Sequence, residues 1–277
     1  MGFGIHLPQY GRVANAGAIT EAARRAEDLG FDDVWVSDHV IHPADQSYPS
    51  PHLFDPMMTL AWAAAATTRI GLGTSVLVAS QYHPLWLANT TSSLDALSGG
   101  RLRLGIGVGW SEAEFAALGQ DFRTRGKRTD EILGILDACW TTDPSSYHGE
   151  FYDFSDIRVL PKPAHPIDVW IGGSSEAAYR RARRAAGFQL IGLKPETVAG
   201  PIARLRADHP DPDAFTISLR TGWDPQGMDP DEIATEREGF EAAGVQHVVA
   251  APWRTDLPAW LDSMAQLAGV LGLRGAA

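Results

Sequence analysis

The sequence has little cysteine, no long hydrophobic run and no excess of basic charge. Its single cysteine, Cys139, excludes a disulfide framework within the chain, and its apolar helical neighbours predict a packing role. No stretch of about 18 uninterrupted apolar residues occurs, so we expect no membrane-spanning helix. The formal net charge is −11, from 23 basic and 34 acidic residues, and no basic stripe is visible. We therefore expect no nucleic-acid partner.

The amino terminus also lacks the features of a secretory signal. It reads Met-Gly-Phe-Gly-Ile-His-Leu-Pro, without basic residues ahead of an apolar segment. We therefore expect a cytoplasmic protein. With 277 residues and 44% apolar content, the chain can bury a large core. Its length fits one barrel-type domain over residues 1–277 better than two small domains.

Apolar runs typical of strands alternate eight times with runs of helical periodicity. Eight such units in about 250 residues are typical of an α/β fold, the (β/α)8 or TIM barrel. Two long connections are predicted insertions, Ile41 to Phe54 after the second strand and Thr141 to Pro166 before the fifth. The predicted strands are Phe3 to Leu7, Asp33 to Val36, Ile70 to Gly73, Leu102 to Ile106, Asp168 to Ile171, Gln189 to Ile191, Phe215 to Leu219 and His247 to Ala250. The predicted helices are Ala16 to Leu29, Asp55 to Thr67, His83 to Leu97, a split pair from Glu112 to Trp140, Ser175 to Ala186, Pro195 to Ala207, Asp229 to Ala243 and Leu257 to Ala268.

The loops that follow the strands are the expected functional site, because barrel enzymes bind ligands at the carboxyl ends of their strands. Gly172-Gly173-Ser174 follows the fifth predicted strand and precedes a helix. Glycine lets the backbone approach an anion, and a helix amino terminus supplies free N–H groups. Both a phosphate site and an ordinary serine-capped turn fit this pattern. Lys194, after the next strand, is a candidate second contact to the same anion or an exposed lysine.

Asp38-His39 ends the second predicted strand and brings a titratable histidine to the barrel mouth. Such a histidine suits proton transfer to a reacting group, whereas a histidine that bonds the local backbone is the plainer interpretation. A metal site made by His6, Asp38, His39 and His83 is disfavoured. The first strand lacks the spaced histidine pair on which a barrel metal hydrolase anchors its ions, so we predict no metal.

Aromatic side chains are frequent near the predicted strand ends. Trp110, Trp223 and Trp253 each follow a strand and are expected to form an aromatic wall for a planar ligand. The tryptophans in helical runs are predicted to lie in the core: Trp62, Trp86, Trp140 and Trp260. The first insertion is expected to add a wall over the same face, with the ring side chains His42, Tyr48 and His52.

Several ordered motifs occur within roughly the first 190 residues. They are Ser37-Asp38-His39, Gly73-Thr74-Ser75-Val76-Leu77, the run from Leu94 to Leu102, Gly105-Ile106-Gly107-Val108-Gly109-Trp110 with Glu114-Phe115, and Trp170-Ile171-Gly172-Gly173-Ser174. In this order they resemble the bacterial luciferase-like flavin oxidoreductases and monooxygenases. The resemblance is closest to the branch that uses the deazaflavin coenzyme F420.

This resemblance implies a TIM barrel that holds a flavin-like tricycle with its phosphate toward the loop after the fifth strand. The bond equivalent to Ser75-Val76 is often a cis peptide behind the tricycle in this family. Asp38 and His39 correspond to residues beside the reactive ring, and a homodimer is implied. With Lys194 added from its position after the sixth strand, the predicted cofactor contacts are Ser75, Val76, Gly107, Gly109, Trp110, Gly172, Gly173, Ser174 and Lys194.

We therefore expect hydride transfer between C5 of F420 and a small organic substrate, with His39 as acid or base and Asp38 orienting it. An FMN-dependent monooxygenase that uses O2 is the alternative, because both cofactors present a tricycle and a phosphate. A flavin-binding carrier or sensor is the non-enzyme alternative. The sequence departs from the family at Ala186-Gly187-Phe188-Gln189, where Ala-Asp-Gly-Trp is usual. We expect the unmatched carboxyl-terminal third to determine the substrate.

Overall fold

Eight parallel strands close into a barrel in the computed structural model, which describes residues 1–45 and 50–275 of the chain. The strand order is β3-β2-β1-β11-β10-β9-β8-β5, and a β3–β5 pairing closes the ring. The short β4 continues the third barrel strand beyond β3 and pairs with β5. In chain order the strands are β1 (Gly2–His6), β2 (Asp33–Val36), β3 (Gly71–Thr74), β4 (Leu77–Val78), β5 (Leu102–Gly107), β6 (Ser145–His148), β7 (Asp153–Ile157), β8 (Asp168–Gly172), β9 (Gly187–Ile191), β10 (Thr216–Thr221) and β11 (His247–Ala250).

Helices surround the barrel, and the sequence marks several of their ends. Asp55 and Asp229 cap α2 and α8 through their side chains, each followed by proline, and Gly99 ends α3 with a positive φ of 76°. Over the described residues, no helix combines the length and apolar character that crossing a membrane requires. The helices are α1 (Ala16–Leu29), α2 (Pro56–Ala66), α3 (Pro84–Ser98), α4 (Glu112–Ala117), α5 (Arg125–Thr141), α6 (Glu176–Ala182), α7 (Pro195–Asp208), α8 (Pro230–Ala242) and α9 (Leu257–Leu271).

The barrel prediction is confirmed, and each of the eight predicted strands overlaps an observed one. The largest boundary differences are at the sixth strand, which begins two residues early at Gly187, and at the seventh, which extends to Thr221. The split helical pair is also confirmed as α4 and α5.

The second insertion contains a β-hairpin that the sequence analysis did not predict. Strands β6 and β7 pair antiparallel, with Ser145 opposite Ile157 and His148 opposite Asp153. Most residues of both strands are exposed or half-buried. A hairpin without a buried face lacks the apolar alternation that identifies a strand in sequence.

Two sets of strand residues face opposite sides of the barrel wall, because side chains alternate along a strand. One set, which includes Ile5, Val34 and Leu104, packs in the main core with the helices. The alternating set points into the barrel, where Trp35 stacks on Trp170 with ring centroids 5.3 Å apart. The single cysteine is buried, as predicted.

The tryptophans divide differently from the prediction. Trp260 is fully buried and Trp140 is half-buried against the core, as expected, but Trp62 and Trp86 are 53% and 76% exposed. Their assignment to the core was wrong. Helix α2 is apolar around most of its circumference, and α3 buries polar residues such as Thr91, Ser92 and Asp95. Such helices give no periodic signal for the inward face.

Candidate functional site

Val76, Gly107 and Gly172 form a small surface at the carboxyl ends of neighbouring strands, which we call the Val76 floor. The Ser75–Val76 peptide bond is cis, as the resemblance predicts. A Cβ atom added at Gly107 would lie 2.5 Å from a Val76 methyl carbon, and one at Gly172 would lie 2.7 Å from the other. Glycine at both positions therefore allows the close approach of Val76. Motifs that are far apart in sequence meet at this side chain.

The loop after β8 continues from the floor. Gly173 and Ser174 are exposed, and Gly173 has a φ of 127°, a conformation that other residues rarely adopt. Ser175 caps α6 by accepting a hydrogen bond from the Ala178 N–H at 3.2 Å. Helix α6 has only seven residues and begins with Glu176, whose pKa is lowered by its hydrogen bond to Arg204. The acidic residue at the start of this helix is thus already paired with an arginine. Phosphate binding by the loop stays a prediction.

Lys194 precedes α7 and already has an anionic partner. Its ammonium group pairs with the Glu236 carboxylate, which also accepts a hydrogen bond from the Trp223 indole at 2.8 Å. The hydrogen bond to Glu236 raises the pKa of Lys194. An anionic ligand would have to share Lys194 with Glu236.

His39 and Glu114 form an acid–base pair at the rim of the floor. The His39 Nδ1 atom lies 2.5 Å from Glu114 Oε1, and Gln81 donates a hydrogen bond to Glu114 Oε2 at 2.9 Å. Glu114 is only 2% exposed, so little water competes for its carboxylate. The Trp110 ring lies edge-on to the imidazole, with centroids 5.7 Å apart. A buried carboxylate in this position orients the imidazole and fixes which ring nitrogen faces away from it.

Asp38 points away from His39 into a separate hydrogen-bond network. Its carboxylate accepts hydrogen bonds from the Val78 N–H at 2.8 Å and from the Tyr82 hydroxyl at 2.9 Å. Burial raises the pKa of Asp38 to about 6, and burial with the neighbouring Asp38 also raises the pKa of Tyr82. Glu114, rather than Asp38, therefore orients His39 through a hydrogen bond. Asp38 fixes the backbone that follows the cis peptide.

Glu114 is thus the site residue whose role the sequence analysis missed, although a motif contained it. It lies in α4, and two arginines fix the segment around this helix. Arg125 Nε donates to the Gly109 carbonyl at 3.1 Å, and Arg128 donates to the Ser80 carbonyl at 2.8 Å. The available signal was the acid four residues after Trp110 in a motif that follows a barrel strand.

Arg220 lies at the centre of the barrel mouth and was also missed. Its guanidinium donates to the Ser75 carbonyl at 2.6 Å and lies 5.1 Å from the centroid of the Trp253 ring. Nearby, the His6 Nε2 atom lies 3.1 Å from the Ser37 hydroxyl. Burial, with a further contribution from Arg220, holds the pKa of His6 well below its ordinary value, so His6 is neutral near pH 7. The sequence signal for this corner was an arginine directly after the predicted strand Phe215 to Leu219.

The aromatic wall is present in part. Trp110 and Trp253 are 59% and 47% exposed, and the Trp253 ring lies 5.1 Å from that of Tyr10. Trp223 is fully buried against Phe240, so its assignment to the wall was wrong. The Trp223 indole N–H donates a hydrogen bond to Glu236, so burial of this tryptophan leaves no unpaired donor.

The first insertion returns to the loop after β1. Leu53 forms a bridge with Tyr10, and the Phe54 N–H donates to the Gln9 carbonyl at 3.1 Å. On its outgoing part, the His42 ring lies edge-on to His39 with centroids 5.9 Å apart. Tyr48 lies outside the described residues.

A large groove of about 1780 Å³ lies elsewhere on the molecule, beside α5 and α6. It is lined by residues such as His165, Asp168 and His209, at the amino end of β8 and the carboxyl end of α7. Among the described residues that line it, none belongs to the predicted site. It is therefore a separate groove on the flank of the barrel, between α5 and α6.

Comparisons with known proteins agree with this geometry. The family model described as luciferase-like monooxygenase matches residues 3–223. The F420-dependent glucose-6-phosphate dehydrogenase of Amycolatopsis mediterranei is 33% identical over 178 residues, which cover 61% of this chain and 52% of that protein. The chain thus spans about half the length of this relative.

Two solved structures show the same fold at low sequence identity. The monooxygenase RslO1 from Streptomyces bottropensis has a TM-score of 0.82 at 21% identity and 98% coverage of both chains. The coenzyme F420 dependent tetrahydromethanopterin reductase from Methanopyrus kandleri has a TM-score of 0.78 at 18% identity, covering 96% of this chain and 97% of that one. The family resemblance inferred from the motifs is confirmed. The chain belongs to the luciferase-like monooxygenase family.

Proposed function

We propose that the protein is an oxidoreductase that transfers a hydride between coenzyme F420 and a small organic substrate. The observation that carries this proposal is the pairing of His39 with the buried Glu114 at 2.5 Å, at the carboxyl end of the barrel strands. An acid–base pair next to a flat floor is what hydride exchange with an alcohol or a carbonyl requires. The F420-dependent relative supports the deazaflavin over FMN.

The residues of the barrel mouth fit a tricycle with a phosphate tail. Because Val76 packs against both Gly107 and Gly172, the floor runs without a break into the exposed loop at Gly173. The ring would lie over the cis peptide, and the phosphate would reach the loop amides. The proposed ring contacts are Ser75, Val76, Gly107, Gly109 and Trp110, and the proposed phosphate contacts are Gly172, Gly173, Ser174 and Lys194. When bound, the coenzyme supplies the hydride acceptor or donor at C5.

We assign the proton transfer of the reaction to His39. Its Nδ1 atom is engaged by Glu114, which leaves Nε2 as the ring nitrogen that exchanges a proton with substrate. In alcohol oxidation the hydroxyl proton moves to Nε2 as the carbon gives up its hydride, and in the reverse direction Nε2 returns the proton to the new alkoxide. The Glu114 carboxylate holds Nδ1 and so keeps Nε2 directed toward the substrate. Asp38 acts as a positioning residue through Val78 and Tyr82.

Side-by-side binding of F420 and FMN to the purified protein, followed by fluorescence, tests the cofactor. Micromolar or tighter binding of F420 with weak FMN binding is the expected result. The reverse preference would replace the proposal with oxygen chemistry on FMN, and binding of neither would overturn the cofactor site. Binding without turnover on any member of a substrate panel would favour a carrier or sensor.

A matched pair of glycine variants locates the cofactor. Gly173→Ala strains a positive φ in the proposed phosphate loop and is expected to weaken F420 binding at least tenfold. Gly200→Ala lies in α7, where an added Cβ meets nothing within 4 Å, and is expected to leave binding unchanged. Equal effects of the two variants would place the phosphate elsewhere.

We also propose a homodimer formed through α2 and α3. Helix α2 has no charged residue, and the only one in α3, Asp95, is buried. On the outer surface, Trp62, Trp86 and Leu97 are 53%, 76% and 86% exposed. A face of this kind on a soluble domain is typical of an interface. A second copy presents the same uncharged face and is self-complementary under twofold symmetry.

Light scattering tests this assembly. The wild-type protein is expected to run as a dimer, and Trp86→Lys is expected to shift it toward monomer because a charge replaces the exposed indole. Glu238→Lys, which introduces a lysine on the exposed surface of α8, is the control and is expected to remain dimeric. A monomeric wild-type protein would contradict the proposal.

A further inference from the structure

We propose that His39, His42 and Glu114 form a binding site for a divalent transition-metal ion of the zinc class. Each residue offers one ligand atom, and these atoms lie within 4.8 Å of one another. Two imidazole nitrogens and one carboxylate oxygen are a donor set that zinc binds readily, with a fourth position left for water. The set differs from the one considered in the sequence, since His6 bonds Ser37, and Asp38 bonds Val78 and Tyr82.

His42 provides an observation that points to a ligand. Its Nε2 atom is buried and has no hydrogen-bond partner, while its Nδ1 atom lies 3.3 Å from the Ile41 carbonyl. With the ring proton on Nδ1, facing that carbonyl, Nε2 keeps its lone pair. A buried acceptor without a donor is unfavourable. An imidazole held through its other nitrogen by a backbone carbonyl is the usual form of a histidine metal ligand.

Glu114 is held in the same way as carboxylates that bind metals. Gln81 donates to Oε2 at 2.9 Å, which directs Oε1 toward His39. Outer partners of this type orient metal ligands and tune their affinity. The shared proton between His39 and Glu114 marks the place that the ion would take. Tetrahedral zinc at about 2.1 Å from its ligands holds them about 3.4 Å apart, so these two atoms would separate by about 1 Å.

Metal binding would have a functional consequence at the same residues. An ion that replaces the proton between His39 Nδ1 and Glu114 leaves the remaining ring proton on Nε2, so Nε2 can no longer accept a proton from substrate. Zinc would therefore inhibit alcohol oxidation reversibly. This consequence rests on the proposed hydride transfer, whereas metal binding itself does not.

Titration calorimetry of the metal-free protein with Zn²⁺, together with the visible spectrum after Co²⁺ addition, tests the site without any coenzyme. The wild-type protein is expected to bind one ion per chain and to give the visible bands of tetrahedral cobalt. His42→Gln is expected to lower the affinity at least tenfold, and Glu114→Gln should do the same. The control His165→Gln, at an exposed histidine in the groove beside α5 and α6, is expected to bind as the wild type does. Unchanged affinity in His42→Gln, or no stoichiometric binding, would overturn the proposal.

A second measurement separates this proposal from the proposed function. F420 binding is measured with a chelator present, and zinc inhibition is then compared between the wild type and His42→Gln. Zinc inhibition that weakens at least tenfold in His42→Gln supports the metal site. Zinc binding that depends on His42 in a protein that binds no F420 would keep the metal site and overturn the hydride transfer. Equal zinc inhibition in both proteins would overturn the metal site alone.

Discussion

The two ends of the barrel contain the same chemical groups and use them differently. At the amino end, inside the barrel, Asp33 accepts hydrogen bonds from His247 at 3.0 Å, from the Trp35 indole and from Arg103. The other ring nitrogen of His247 lies 2.9 Å from the Ser218 hydroxyl. Both carboxylate oxygens and both imidazole nitrogens have partners. A buried network in which these groups are all hydrogen-bonded stabilises the fold and leaves none of them available to a ligand.

The carboxyl end also pairs a buried carboxylate with histidines, but its network is incomplete. His39 meets Glu114 through one nitrogen only, and the Nε2 atom of His42 is buried without a partner. The pair borders the exposed Trp110 instead of a closed interior. The comparison teaches that residue type does not assign function. What distinguishes the carboxyl end is a buried potential ligand atom, His42 Nε2, without a partner beside an exposed mouth.

The largest effect is expected from His39→Ala at the carboxyl end. Loss of the acid–base group should lower kcat by about 100-fold or more, since general acid–base catalysis contributes about 10²- to 10⁴-fold. F420 affinity should change little, because the proposed ring and phosphate contacts do not include His39. The melting temperature is expected to fall, because the buried Glu114 carboxylate loses a hydrogen-bond partner. Steady-state kinetics and thermal unfolding measure both. Full turnover with unaltered F420 affinity would remove His39 from the mechanism.

At the amino end, Asp33→Asn is expected to destabilise the fold. It replaces the buried charge that faces Arg103 and His247, and breaking such a buried pair costs about 3–5 kcal/mol of unfolding free energy. Urea unfolding measures this loss. Asp28→Asn, on the exposed face of α1, is the control and should stay within about 0.5 kcal/mol of the wild type. A loss of activity without a loss of stability in Asp33→Asn would break the comparison between the two ends.

The stability that Asp33 contributes should depend on pH. Burial raises its pKa, but the opposing effects of His247, Arg103 and the Trp35 hydrogen bond are larger in sum and leave the pKa below its ordinary value. A carboxyl group with a lowered folded pKa contributes stability above its unfolded pKa of about 3.9 and loses it as pH falls through the folded value. The difference in unfolding free energy between wild type and Asp33→Asn should therefore shrink below about pH 4. A constant difference down to pH 2 would contradict this assignment.

The smallest effect is expected from Lys194→Ala. Because Glu236 already balances its charge, we expect F420 binding to weaken by only two- to threefold, on the order of an exposed ion pair. The fluorescence titration used for Gly173→Ala gives the comparison. A tenfold or greater loss would show that Lys194 leaves Glu236 for the phosphate.

Local patterns were sufficient to predict the barrel and much of the mouth. Strand and helix periodicities gave the eight units, and the family resemblance implied the cis peptide at Ser75–Val76. The packing of Val76 against Gly107 and Gly172 was seen only in the structure. Contacts between distant segments were harder to predict. Glu114 reaches His39 across 75 positions, and Arg220 reaches Ser75 across 145. No local pattern encodes such pairs.

The remaining errors have specific physical causes. The exposure of Trp62 and Trp86 was hidden because α2 is apolar on most sides and α3 buries polar residues. Trp223 is buried because it donates a hydrogen bond to Glu236 of α8. The hairpin between α5 and β8 was not predicted, because most residues of its two strands are exposed or half-buried. In each case the deciding interaction is tertiary and overrides the local preference.

Anaerobic single turnover with reduced F420 tests the central claim most directly. The wild-type protein is mixed with reduced coenzyme and a panel of aldehydes and ketones, and coenzyme oxidation is followed by its absorbance. We predict oxidation that needs a carbonyl substrate but no oxygen, and that slows about 100-fold or more in His39→Ala, as expected for loss of an acid–base group. Oxidation that requires oxygen, or that proceeds equally fast in His39→Ala, would contradict the account.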